Sequence, residues 1–173
     1  MTRLLVLLSL WITGCAGMPE NMRAPALPKN VSVPPGHRHA ITMRAAGSLN
    51  YECRPHPGMS GAYGWVLDSP DATLMHWSGF SVGRYYAGPT WAHRDGSRVT
   101  GKLIAASPAG AGQLPVHLYQ AAHAGGKGEF SDVTYIQRLN ATGAEPPARC
   151  DAAAVGRGRK VEFSADFLFY KPR

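Results

Sequence analysis

Seven histidines, eleven carboxylates and three cysteines carry the reactive chemistry of this 173-residue chain, and few of them stand in a working pattern. His37-x-His39 puts two imidazoles on one face of an extended segment, a spacing zinc or copper can use, but no third ligand is placed by sequence. No metal site is therefore assigned, and no cofactor. Asp95-Gly96-Ser97 joins a carboxylate to a hydroxyl, yet Asp and Gly together are turn chemistry, and no serine sits in a strand-to-helix nucleophile elbow. Asp68, Asp71 and Asp95 are candidates for paired acid–base work, with nothing to fix their separation. The best-supported candidate is aromatic. Tyr85, Tyr86 and Trp91 surround the Gly88-Pro89 bend, and with Asp95 and Ser97 they would form a shallow ligand-binding platform for sugars or peptides. The competing reading has the same rings plugging one end of a β-sheet core.

That aromatic stretch belongs to a longer one, Gly79 to Gly101, rich in turn formers and flanked by alternating apolar runs. Gly-Pro rules out a helix interior or an uninterrupted strand across it, so a rigid loop, a tight turn and a strand are expected. From His37 onward the apolar period is two. Leu49, Tyr51 and Cys53 alternate with polar neighbours, as do Tyr63, Trp65 and Leu67. Further strands are expected near 72–77, 98–106, 114–121, 131–139 and 161–170, separated by Gly/Pro turn clusters. The only helical candidate is a turn near Asp151–Ala154. The fold class is all-β, a single antiparallel β-sandwich or barrel-like domain, with Trp65, Tyr135, Phe163 and Phe167 in its core.

The N-terminus reads differently. Arg3 precedes an apolar run from Leu4 to Ile12, too short for a stable span, which gives way to Thr13-Gly14-Cys15. Ile12-Thr13-Gly14-Cys15 resembles a bacterial lipobox. The resemblance implies a signal peptide over residues 1–14, lipidation of Cys15 and anchoring in a membrane. Ala16 at the next position points to the outer membrane, facing the periplasm. A Pro-rich tether over 15–30 and the domain over 31–173 complete the organisation. With Cys15 acylated, Cys53 and Cys150 remain, and in an exported protein they are expected to form a disulfide. A formal charge of +7 favours anionic or glycan envelope components as partners, and export argues against nucleic acid.

Several separated motifs carry a family likeness. Gly83-Arg84-Tyr85-Tyr86-Ala87-Gly88-Pro89-Thr90-Trp91, Asp95-Gly96-Ser97-Arg98-Val99, Tyr51-Glu52-Cys53, Val133–Asn140 and Ala165-Asp166-Phe167-Leu168-Phe169-Tyr170 resemble the bacterial and fungal family called "domain of unknown function 3455". The resemblance runs from about residue 31 to the C-terminus. It implies an exported all-β domain and no established activity. In that family's pattern the position of Tyr85 is usually His and that of Ala92 usually Glu, so any chemistry relatives perform with that pair is missing here. Some relatives carry a malate dehydrogenase label, which no dinucleotide-binding motif in this chain supports. The residues favour a non-catalytic envelope lipoprotein that binds or scaffolds. The alternative is a small exported enzyme, hydrolase-like, acting at the Tyr85–Trp91 loop.

Overall fold

The computed structural model describes residues 27–111, 113–145 and 149–173, and its eight antiparallel strands close into one barrel. The strands are β1 (His37–Pro55), β2 (Tyr63–Met75), β3 (Ser81–Tyr86), β4 (Thr90–His93), β5 (Arg98–Ser107), β6 (Val116–Gly125), β7 (Tyr135–Gly143) and β8 (Gly158–Pro172). Each pairs with the next, and β8 returns to β1 along a seam from His37↔Pro172 to Glu52↔Gly158. Closure gives every strand a neighbour on each side, which resolves the choice between sandwich and barrel.

The period-two pattern sets the inside. Met43, Ala45 and Leu49 of β1 and Phe163, Ala165, Phe167 and Phe169 of β8 point inward. Tyr85, Trp91, Val99, Tyr119 and Ile136 meet them from the intervening strands. Phe130, from the β6–β7 connection, stoppers the lower end against Phe169, their ring centroids 4.6 Å apart. That lower end also carries the β2–β3 and β4–β5 turns and the chain's way in and out, where the Arg173 N–H donates to Gly36 O at 3.0 Å. The upper end carries the other four connections.

Two core assignments need correcting. Phe163 and Phe167 are buried, but Trp65 is half-buried, because β1 and β2 run on past the barrel's upper end as a hairpin. Tyr135 is also half-buried and faces outward, into a second small cluster on the wall. Residues 27–33 cover that wall, although composition places the first of them in the tether. Val31 is fully buried against Val116 and Leu118, Asn30 Nδ2 donates to Ala106 O at 2.9 Å, and Gln137 Nε2 donates to Val31 O at 2.6 Å.

Candidate functional site

The region expected to be a rigid aromatic loop is a hairpin, β3–β4, turning through Ala87-Gly88-Pro89 with Gly88 at φ +80°. The turn is tight enough for both strands to re-enter the barrel wall, so Tyr85 and Trp91 become a cross-strand pair on the inward face. Trp91 is 0% exposed and Tyr85 is 5% exposed. Burial pushes the Tyr85 phenol far above the ordinary tyrosine range, with Tyr119 adding to the rise. Neither ring offers a face to a ligand arriving at the surface, so the platform reading gives way to the core reading. Tyr86, the remaining aromatic, lies half-buried on the outer wall. Ala92 is likewise on the wall, its backbone paired with Arg84 and Arg98.

Asp95 and Ser97 sit at the opposite end, in the β4–β5 turn. Asp95 Oδ1 accepts from the Ser97 N–H (2.8 Å) and hydroxyl (2.6 Å), and Oδ2 accepts from the Glu129 N–H (2.7 Å). His93 Nδ1 approaches Oδ2 at 2.9 Å. Partial burial pulls the Asp95 carboxyl upward, but these donors outweigh it and hold the group well below the ordinary carboxylate range. The set His93–Asp95–Ser97 contains the residue types of a hydrolase triad in the wrong order of contact. The serine hydroxyl, buried, donates to the carboxylate and accepts from the Phe130 N–H at 3.0 Å, so imidazole never reaches it. It is a clamp that pins the Phe130 stopper.

Sequence reasoning passed over Gly79-Phe80-Ser81-Val82-Gly83, which has the spacing Gly-x-Ser-x-Gly. Ser81 begins β3 and no helix follows it, so the strained strand-to-helix turn that exposes a nucleophile is missing. His37 and His39 are engaged separately: His37 Nδ1 with Pro34 O and the ring with Tyr135, His39 Nε2 with Thr42 Oγ1 and the ring with Tyr170. Among the described residues, no three His, Cys, Asp or Glu side chains gather where a metal ion would need them.

An inward polar cluster also escaped the sequence. Arg138, 6% exposed, donates through Nη2 to Pro115 O at 3.0 Å and to His117 Nε2 at 3.2 Å. Because guanidinium can only donate, Nε2 must accept, and the His117 proton sits on Nδ1, facing the Tyr119 hydroxyl at 2.8 Å. Burial, then the Arg138 charge, pull the His117 pKa down to about 4. The neutral imidazole thus relays between a cation and a phenol.

The surface feature with the most pronounced chemistry lies on the upper end, around the disulfide. Cys53 and Cys150 are bridged, with Cα atoms 5.6 Å apart. The bridge draws the β7–β8 connection over the β1–β2 extension, and backbone bonds seal it: Cys53 N–H to Arg157 O at 3.0 Å and Gly156 N–H to Cys53 O at 2.9 Å. Trp65, the Cα partner of Cys53, donates its indole N–H to Arg149 O at 3.1 Å. Asp151 caps the 3-10 turn Ala152–Ala154 by accepting from the Ala153 and Ala154 N–H groups. The outcome is a depression of about 320 Å³ lined by Trp65, Asp151 and three arginines, Arg149, Arg157 and Arg159. Among the described residues none of the three is ion-paired, and the one carboxylate of the lining, Asp151, turns its Oδ1 to the Ala153 and Ala154 N–H groups. A neighbouring depression of about 430 Å³ adds Lys160, while its acids Glu52 and Asp68 are taken by Arg54. A third depression, about 470 Å³ over Gly47 and Gly143, offers the Thr142–Ser164 hydroxyl pair and Glu162 but no cation.

Arg157-Gly158-Arg159-Lys160 reads in sequence as a solvated loop, because nothing in it announces that Arg149 and Trp65 converge on the same spot. Cys15 lies outside the described residues. No curated protein and no solved structure matches the chain. The family model described as "Protein of unknown function (DUF3455)" matches residues 34–171, most of the barrel and its connections, and the chain belongs to that family.

Proposed function

We propose that the protein is a lipid-anchored envelope component, held at the outer membrane through Cys15, whose barrel is a non-catalytic binding module for anionic envelope polymers. The observation that carries this reading is the Trp65 depression, where three guanidinium groups, Arg149, Arg157 and Arg159, line an indole ring beside a single carboxylate, Asp151. Arginine forks suit carboxylate and phosphate groups, and a half-exposed indole gives a sugar ring an apolar face. The formal charge, +7 for the whole chain and 17 − 11 = +6 once the leader with Arg3 is removed, adds a long-range attraction for anions. The alternative, hydrolysis at the Tyr85–Trp91 loop, loses its surface because both rings are in the core, and the Ser97 hydroxyl is committed to Asp95.

The test is binding of fluorescent polygalacturonate, an acidic glycan, against neutral dextran, at low and high salt. The wild type should bind the acidic polymer, less tightly as salt screens charges beyond about 8–10 Å. Arg149→Ser/Arg157→Ser/Arg159→Ser should abolish the binding, while Lys102→Ser, a cation on the β5 wall, should leave it nearly unchanged. Equal binding by the triple variant and the wild type would overturn the site. Retention of Cys15→Ser in the membrane fraction of cells would overturn the anchor.

A further inference from the structure

The β2–β3 turn at the lower end combines an ordered backbone with two large rings that touch no core. The His76 N–H donates to Phe80 O at 2.9 Å and the Gly79 N–H donates to His76 O at 2.8 Å, so the turn is closed on itself. His76 Nδ1 is bonded to the Ser78 hydroxyl at 2.8 Å, which fixes the imidazole, and the Trp77 ring leans on it with centroids 5.2 Å apart. Yet Trp77 is 85% exposed and Phe80 71% exposed, the two most exposed large apolar side chains among the described residues. Single exposed apolar residues are ordinary. An indole and a phenyl three positions apart on one rigid tip are a patch, and such patches mark interaction sites.

The charges beside the tip say what it meets. Arg44 of β1, the Cα partner of Met75, is exposed on the outer wall at one side. Arg94, whose N–H donates to Val82 O, is exposed at the other. Among the described residues neither guanidinium is ion-paired: Asp166, the Cα partner of Arg44 on β8, accepts from Asn140 Nδ2 instead. Two cations framing a Trp/Phe tip match the layering of a bilayer surface, with anionic headgroups outside and the start of the acyl chains within. Amphipathic indole prefers that boundary. The chain outside the described residues reaches far enough: the dozen or so residues from Cys15 to Leu27 extend at most about 40 Å, comparable to the full run of β2.

We infer that the Trp77–Phe80 tip inserts into the headgroup region of an anionic lipid bilayer, with Arg44 and Arg94 against the phosphates. Trp65 and Trp77 stand at opposite ends of β2, so insertion of the tip turns the arginine-lined depression away from the bilayer. The inference shares its membrane setting with the proposed function but is read from different residues. Its failure would leave polygalacturonate binding in solution untouched.

The experiment uses the mature, acylated protein beginning at Cys15, reconstituted with vesicles of phosphatidylethanolamine and phosphatidylglycerol, a fraction of the lipid brominated on its acyl chains. Bromine should quench a component of the tryptophan emission that Trp77→Phe removes, whereas Trp65 and Trp91, the other tryptophans that follow Cys15, contribute equally to both proteins. Arg44→Ser/Arg94→Ser should reduce that component severalfold, as should pure phosphatidylcholine vesicles. Because all these side chains are exposed, the variants should melt within about 2 °C of the wild type. Identical quenching of wild type and Trp77→Phe would overturn the inference. So would a Trp77 emission that moves with protein concentration in the absence of lipid, which would assign the tip to a second copy of the chain.

Discussion

The rings of Tyr85 and Trp91 stack across the β3–β4 hairpin with centroids 5.1 Å apart and planes 20° from parallel, and Phe167 closes on both. Trp91 meets four aromatic rings in all, those of Tyr85, Tyr119, Phe167 and Phe169. Trp91→Ala should therefore destabilise the barrel by about 3–5 kcal/mol, read as a shift of the urea midpoint with little change in slope. Trp91→Phe should cost less than its lost volume suggests, because the buried indole N–H finds no acceptor among the described residues and its removal relieves an unmet donor. Tyr86→Ala, on the outer wall, should cost far less than Trp91→Ala. Equal losses at the two positions would contradict the inward placement of Trp91.

Gly101 lies beneath the same ring. A β-carbon there would come within 3.0 Å of Trp91 Cζ3 and of Tyr119 Cβ. Gly101→Ala should lower stability by about 1–3 kcal/mol through overpacking, measurable in the same urea titration. Gly110→Ala, where a β-carbon meets nothing, is the matched control.

The Cys53–Cys150 bridge joins positions 97 residues apart, and the chain-entropy model assigns a loop of that size about 4–5 kcal/mol. Reduction, or Cys53→Ala/Cys150→Ala, should cost about 2–5 kcal/mol in thermal denaturation and weaken polygalacturonate binding. The second effect separates a bridge that only stabilises the fold from one that assembles the Trp65 depression. If binding survives reduction in a folded protein, the arginines hold their places without it.

His117 makes stability depend on pH with a definite sign. Its folded pKa, about 4, lies below the ordinary histidine value near 6.5, so the unfolded chain takes up the proton first as pH falls. The contribution is complete above about pH 6.5 and is lost progressively as pH drops through 4. His117→Gln should flatten the stability profile across that window. In the wild type, the His117 ring resonances should titrate near pH 4, and a midpoint near 6.5 would contradict its contacts with Arg138 and Tyr119.

Much of this architecture was legible in the sequence. The period-two pattern marks β1, β2, β5 and β8 because one face of each strand is sealed from water, and turn clusters supply the breaks. β3 and β4 escaped because Gly88-Pro89 interrupts a stretch too short to show a period on either side. The same gap misplaced Trp91: composition identifies an aromatic cluster, but only the register Tyr85↔Trp91 decides whether it faces solvent or core. Asp95-Gly96-Ser97 is read correctly as a turn, since that depends on local backbone chemistry. The arginine depression was illegible. Its residues come from β2, the disulfide connection and the start of β8, and no local rule brings Trp65 to Arg149.

The seam between β1 and β8 bears on how the molecule is made. Three of the five phenylalanines, Phe163, Phe167 and Phe169, arrive on the last strand, and that strand must find the first one. Until it does, a growing or threading polypeptide has two raw sheet edges and a core lacking most of its phenylalanine. Contacts of such long range are slow to form, so the chain stays open until its final segment is delivered. A C-terminal truncation before β8 would thus leave a sticky half-barrel, and holding the nascent chain apart from its neighbours becomes a requirement of its biogenesis.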